Sequence, residues 1–131
     1  MEAISQNSLN RDEFKKGIDE FNRRQFYECH ETLEKVWQEY PESDRELIQG
    51  IIQVSVGYYH LLRGNRNGAL KLLCRGLDRV RKFPHGHFGL QLGPFVEKVA
   101  FDLRLVEGAP NTDGAAFEIP TIEFISHSPD C

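Results

Sequence analysis

The stretch from Ser43 to Asn65 reads SDRELIQGIIQVSVGYYHLLRGN. Between Leu47 and Leu62 it holds no Asp, Glu, Lys or Arg, and its Ile, Val, Leu and Tyr side chains fall on almost every side of a helical wheel. A helix apolar nearly all round is a buried helix. The run is shorter than the roughly 20 apolar residues that cross a bilayer, and Gln49, Gln53 and His60 interrupt it. It therefore predicts a central core helix with no membrane role. At the angular step of an α-helix, Gln49, Gln53, Val56 and His60 share one stripe, with Arg45 and Arg63 at its ends, so this core helix carries a polar seam. Ser43-Asp44-Arg45-Glu46 has the form of a capping box. Pro41 stops the preceding helix, and Gly64-Asn65 suits a left-handed C-cap.

Outward from this helix, the flanking segments repeat a helical period. Asn10-Arg11-Asp12-Glu13 resembles a second capping box, and Phe14, Ile18 and Phe21 follow at helical spacing. After Asn22-Arg23-Arg24, the residues Phe26, Cys29, Leu33, Val36, Trp37 and Tyr40 form one apolar stripe that ends at Pro41. Beyond the turn at 64–68, Ala69, Leu70, Leu73, Gly76, Leu77 and Val80 form the inner face of a fourth helix whose outer face is Lys71, Arg75, Asp78 and Lys82. Past a loop containing His85 and His87, Gly93-Pro94 opens a fifth helix with Phe95, Val96, Val99, Leu103 and Val106 inward, closed by Gly108. Residues 109–114 are loop in composition, and 117–125 read as a short extended segment packed along the bundle. The expected fold is all-α, about five helices arranged as helical hairpins with a short extended C-terminal tail. One helical domain spans 10–107, and a loop and tail occupy 108–131. A shift of 40 residues lays Cys29 on Ala69, Leu33 on Leu73 and Trp37 on Leu77, which resembles tetratricopeptide-type hairpins without amounting to a repeat in sequence identity.

At 131 residues, 40% hydrophobic and 27% charged, the chain has the composition of one ordinary globular domain. Three cysteines with no CxxC spacing suggest neither a disulfide framework nor a zinc knuckle. A reducing compartment is expected, the cytoplasm, or a plastid stroma were the chain from a plant. No signal or transit peptide is read in the first ten residues. The net charge of -4 conceals an asymmetry, because residues 63–82 hold seven bases against one acid. Such a split marks either an anionic partner or self-complementarity. Lys71, Arg75, Arg79 and Lys82 then form a patch suited to an acidic protein surface or a second copy of the chain. Nucleic acid is disfavoured, since no aromatic residue is interleaved for stacking and the pI is about 5.7.

Several separated motifs resemble a known family. Phe26 to Trp37 (FYECHETLEKVW), Gln49-Gly50-Ile51-Ile52-Gln53, Tyr59 to Asn65 (YHLLRGN) and Gly68-Ala69 are similar in order and spacing to the uncharacterised "domain of unknown function 309" family. The resemblance covers about residues 14–83. It implies a small all-helical domain with hairpin packing, found in bacteria and plant plastids, and it carries no activity.

The chemistry-bearing residues lie where the second helix meets the central one. His30 and Glu34 stand one turn apart on the flank of the apolar stripe that contains Trp37. If the polar seam faces that flank, His30, Glu34, Gln49, Gln53 and His60 converge beside Trp37. The leading interpretation is a buried polar cluster fixing the register of two helices in a non-enzymatic protein-binding or scaffold module. The alternative is a metal-dependent or small-ligand-binding enzyme in which His30, Glu34 and His60 supply ligands, His30 to Glu34 having the outline of a zinc-protease helix with its second histidine replaced. Cys29 reads as a structural thiol, and His85 and His87 as loop polarity. No phosphate loop, GxSxG or dinucleotide fingerprint is present, and the residues name no particular cofactor.

Overall fold

A computed structural model describes residues 8–108 and 117–126. The expected loop at 109–114 and Cys131 lie outside the described residues. Among the described residues five α-helices follow in order: α1 Arg11–Asn22, α2 Phe26–Glu39, α3 Arg45–Leu62, α4 Arg66–Val80 and α5 Leu92–Gly108, with a 3₁₀ turn at His87–Gly89 before α5. The all-α expectation holds, and each helix packs on the next one in sequence.

Hydrophobic period decides the elements. Phe14, Ile18 and Phe21 of α1 and Phe26, Cys29, Leu33 and Val36 of α2 are buried. On α3 the buried set runs nearly all round, Leu47, Ile48, Ile51, Ile52, Val54, Tyr58 and Leu61 among it. The N-cap of α1 is Asn10, as read from the sequence, accepting from the Glu13 N–H at 3.2 Å, whereas Asn65, read there as part of a C-cap, also N-caps α4 by accepting from the Gly68 N–H at 3.1 Å. The cap of α3 differs. Ser43 makes no such bond, the N-cap residue is Asp44, and its side chain is not used for capping.

The two hairpins are built alike at a separation of 40 residues. Each first helix ends in a Schellman motif: Gln25 N–H donates to the Glu20 carbonyl at 2.8 Å, and Asn65 N–H to the His60 carbonyl at 2.8 Å. The left-handed position is Arg24 (φ 65°) in one and Gly64 (φ 75°) in the other. Inside each hairpin a glycine lies against a leucine of the second helix. A Cβ on Gly17 would collide with Leu33, and one on Gly57 would stand 2.8 Å from the Leu73 side chain. Gly17 and Gly57, like Leu33 and Leu73, are equivalent under the shift. Trp37 and Leu77 are not matched in environment, since Leu77 is buried and Trp37 only partly so.

Helix α5 and the tail close the other side. Phe95 meets Phe21 edge-on at 5.6 Å between ring centroids. Residues 117–126 lie extended, with Ile119 and Ile122 buried. Asn22 clamps Ile122 from both directions, its Nδ2 donating to the carbonyl at 2.8 Å and its Oδ1 accepting from the N–H at 2.7 Å. Arg24 donates to the Ile119 carbonyl at 3.0 Å, and Leu90 and Phe124 form one antiparallel bridge. Residues 117–126 thus pack along the bundle.

Candidate functional site

Among the described residues, and apart from Leu62 in the last turn, the seam is the stripe of α3 left open. Gln49, Gln53, Val56 and His60 are half-buried, whereas Leu47, Ile48, Ile51, Val54 and Tyr58 are buried on the faces between them. Three shallow depressions lie along it. At the N-terminal end, Trp37, Ser43, Arg45, Glu46, Gln49 and Arg79 line a cleft of about 280 Å³. In the middle, Glu46 and Gln53 meet Arg75, Asp78, Arg79 and Lys82 around about 330 Å³. Near the C-terminal end, Phe26, Tyr27, His30, Val56, Tyr59 and His60 enclose about 160 Å³. Helices α2 and α4 thus form the banks of a groove whose floor is the α3 stripe.

The seam is turned toward α4 more than toward the His30–Glu34 flank. Gln53 Oε1 accepts from Arg79 Nε at 3.0 Å, and Glu46 Oε2 accepts from Arg79 Nη1 at 3.3 Å and from Lys82 Nζ at 3.1 Å. Arg45 lies over the Trp37 ring, 4.4 Å from its centroid, a cation–π contact that holds the indole at the groove edge. His60 Nδ1 is 3.1 Å from Asn65 Nδ2 of the following turn. His30 and His60 do share the small aromatic cleft. Glu34 does not join them: its carboxylate is 3.8 Å from His30 Nε2, and its side chain is 50% exposed.

The expected convergence of His30, Glu34, Gln49, Gln53 and His60 at one point is accordingly absent. A helical wheel shows which residues share a face, but these five span several turns, and antiparallel packing distributes them along the groove. The three proposed metal ligands do not meet at one point either, since His30 shares the aromatic cleft with His60 but contacts Glu34 outside it, at 3.8 Å. Among the described residues no group of three His, Cys, Asp or Glu side chains is close enough to hold a metal ion.

One carboxylate elsewhere is buried more deeply than any of these. Asp102 is fully buried on α5, accepting from Tyr58 Oη at 2.7 Å and from Lys98 Nζ at 2.9 Å. Burial, with the Asp102 charge beside it, pushes the Tyr58 hydroxyl far above its ordinary range, so it stays a donor. The spacing Phe95, Val99, Asp102, Val106 carried this signal, since an acid in an apolar stripe needs a buried partner. A second group ties loops together. Asp44 accepts from Tyr40 Oη at 2.8 Å and stands 2.9 Å from His87 Nε2. Burial alone would raise the Asp44 carboxyl, but hydrogen bonds from His87 and Tyr40 bring it below its ordinary value. Tyr40, partly desolvated and bonded to that carboxylate, is pushed up to about 12.

The loop histidines therefore have specific roles rather than mere polarity: His87 latches Asp44, and His85 Nδ1 accepts from the Gly93 N–H at the start of α5 at 3.0 Å. Cys29 has the environment expected of a structural thiol, since burial pushes it up to about 12. A thiol so protonated is a poor nucleophile. No described helix is long and apolar enough to cross a membrane.

Comparison with known proteins adds lineage. Residues 14–72 match the model of a family described as a domain of unknown function (DUF309). An uncharacterised protein, YpuF of Bacillus subtilis (strain 168), is 40% identical over 63 residues, which make up 47% of this chain and 36% of that protein. The chain thus spans just over a third of the length of this curated relative. The match takes in both helical hairpins as far as the middle of α4, including every motif quoted above. In residues 14–72 the chain therefore resembles the DUF309 domain of unknown function, as those motifs led us to expect.

Proposed function

We propose that the chain is a non-enzymatic helical module that binds another protein along the open face of α3, between α2 and α4. The observation that carries this is the composition of the groove. A helix buried on its other faces leaves one stripe open, and its borders carry Tyr27, Trp37, Tyr59, Arg45 and Arg79. Aromatic residues and arginine are the side chains that concentrate binding energy at protein interfaces. The depressions themselves favour a protein over a metabolite. Small-molecule sites enclose most of their ligand, whereas this is a row of open, shallow clefts of about 160–330 Å³, which suits side chains of a docked surface.

A photo-cross-linking amino acid placed at Gln49 or at Gln53 tests the reading in cells that make the protein. Discrete protein adducts are expected from both positions and not from Arg104, which is exposed on α5. Equal adducts from all three positions, or none from the groove, would refute it.

A further inference from the structure

The open face has an electrical direction across its width. Helix α2, on one bank, carries Glu28, Glu31, Glu34 and Glu39 against Lys35 alone. Helix α4, on the other, carries Arg66, Lys71, Arg75 and Arg79 against Asp78 alone. Part of this is satisfied within the chain, since Glu46 takes Arg79 and Lys82, and Arg66 donates to the Val106 and Glu107 carbonyls. What is left on top of the two banks is Glu31 with the half-exposed Glu34 on α2, and Lys71 with Arg75 on α4. Glu31, Lys71 and Arg75 have no ion-pair partner among the described residues, and Glu34 has only the long contact to His30.

A face that is acidic along one edge and basic along the other is complementary to itself under only one kind of two-fold axis. An axis running across α3 would set α2 on the other copy's α2 and α4 on its α4, placing like charges together. An axis parallel to α3 sets each α2 on the other copy's α4. It also preserves height along α3, so the charges must match in level as well as in sign.

The levels do match. His30 borders Val56 and His60, and Trp37 borders Arg45 and Gln49, which puts Glu34 near the height of Gln53. Arg75 shares the middle cleft with Gln53. Glu31 lies near the height of Val56. A Cβ on Gly68 would meet His60 and one on Gly57 would meet Leu73, which brackets Lys71 at the same height as Glu31.

Resting on the binding reading above, we propose that the partner is a second copy of this chain: two open faces dock about a two-fold axis parallel to α3, so that Glu31 and Glu34 of each copy meet Lys71 and Arg75 of the other. The size of the face sets the strength. The 18 residues of α3 run about 27 Å, and three helices about 8–10 Å apart span roughly 20 Å, giving roughly 1,000 Å² for the pair. That is the low end for a specific interface, so the dimer is weak and exchanging.

Sedimentation of the full chain from low to several hundred micromolar tests the proposal, at about 0.05 M and about 0.5 M salt. The mass is expected to rise with concentration from 15.1 kDa toward twice that value, with weaker association at high salt. Lys71→Glu with Arg75→Glu, and separately Glu31→Lys with Glu34→Lys, should each weaken dimerisation about tenfold or more. Mixing the two reversed proteins, or combining all four changes in one chain, should restore it to within about threefold, because both edges are then complementary again. All four positions are exposed, and an unchanged helical circular dichroism spectrum checks that each variant is folded. A monomer at every concentration overturns this proposal while leaving the cross-linking test of the groove standing. A dimer indifferent to the reversals, or not restored by the exchange, overturns it as well.

Discussion

Glu34 and Asp102 are both acids beside a potential cation, and their surroundings give them opposite weight. Glu34 is half exposed and 3.8 Å from His30, so water screens the pair and holding it costs side-chain entropy. Glu34→Ala is expected to change stability by less than about 0.5 kcal/mol. Asp102 is fully buried with two donors aimed at it, and removing the carboxylate leaves the Tyr58 hydroxyl and Lys98 ammonium without their acceptor. Asp102→Ala should cost about 3 kcal/mol or more, and Tyr58→Phe about 1–3 kcal/mol, read as shifts of the urea midpoint. Equal effects at Glu34 and Asp102 would contradict this assignment.

Asp44 adds a dependence on pH. Its carboxyl titrates below the ordinary 3.8 in the folded chain, so in that window the unfolded chain binds more protons and stability rises with pH. The contribution is complete above the unfolded value and is lost as the pH falls through the folded one. Asp44→Asn should accordingly be less stable than the parent near neutrality and should lose less stability on acidification to about pH 3. Parallel pH profiles for parent and variant would show that the latch of Tyr40 and His87 on Asp44 does not set the titration.

At the scale of the helix, the glycines decide how closely neighbours approach. A Cβ on Gly76 would stand 2.7 Å from the Val54 backbone nitrogen and 2.8 Å from the Gly50 carbonyl oxygen, so α3 and α4 would have to move apart. A Cβ on Gly17 would clash with the Leu33 side chain alone and with no backbone atom, so the helices need not separate. Gly76→Ala should therefore destabilise by about 1–3 kcal/mol, and Gly17→Ala by clearly less. Thermal midpoints of the two variants measure the difference, and the reverse order would refute the close α3–α4 contact.

The same scale shows what the chain made legible. The helices could be read because burial imposes a period, and the Asn10 cap because it acts within three residues; Asn65, read only as part of a C-cap, caps the next helix as well. The Ser43 cap could not, because Asp44 is held by His87, 43 positions away. A wheel placed Gln53 correctly on a stripe with His60 but was blind to Arg79 of α4, its actual hydrogen-bond partner. Facing flanks are a property of packing, and only long-range contacts fix them. Asp102 was readable in principle, as an acid at the spacing of Phe95, Val99 and Val106.

At the scale of the molecule, every helix is tied down on its neighbours, and the tail seals the α1 side through Asn22 and Arg24. Among the described residues the face of α3 between α2 and α4 has no such cover, and both functional proposals depend on that asymmetry. Cysteine scanning along α3 tests it most directly. In a Cys74→Ser, Cys131→Ser background, single cysteines at Gln49, Gln53, Val56 and His60 should react with a maleimide on the native protein at rates near those of exposed thiols. Cysteines at Ile48, Ile51, Val54 and Tyr58 should react only on unfolding. Uniform protection of all eight positions, or labelling with no helical period, would contradict an open stripe on an otherwise buried helix.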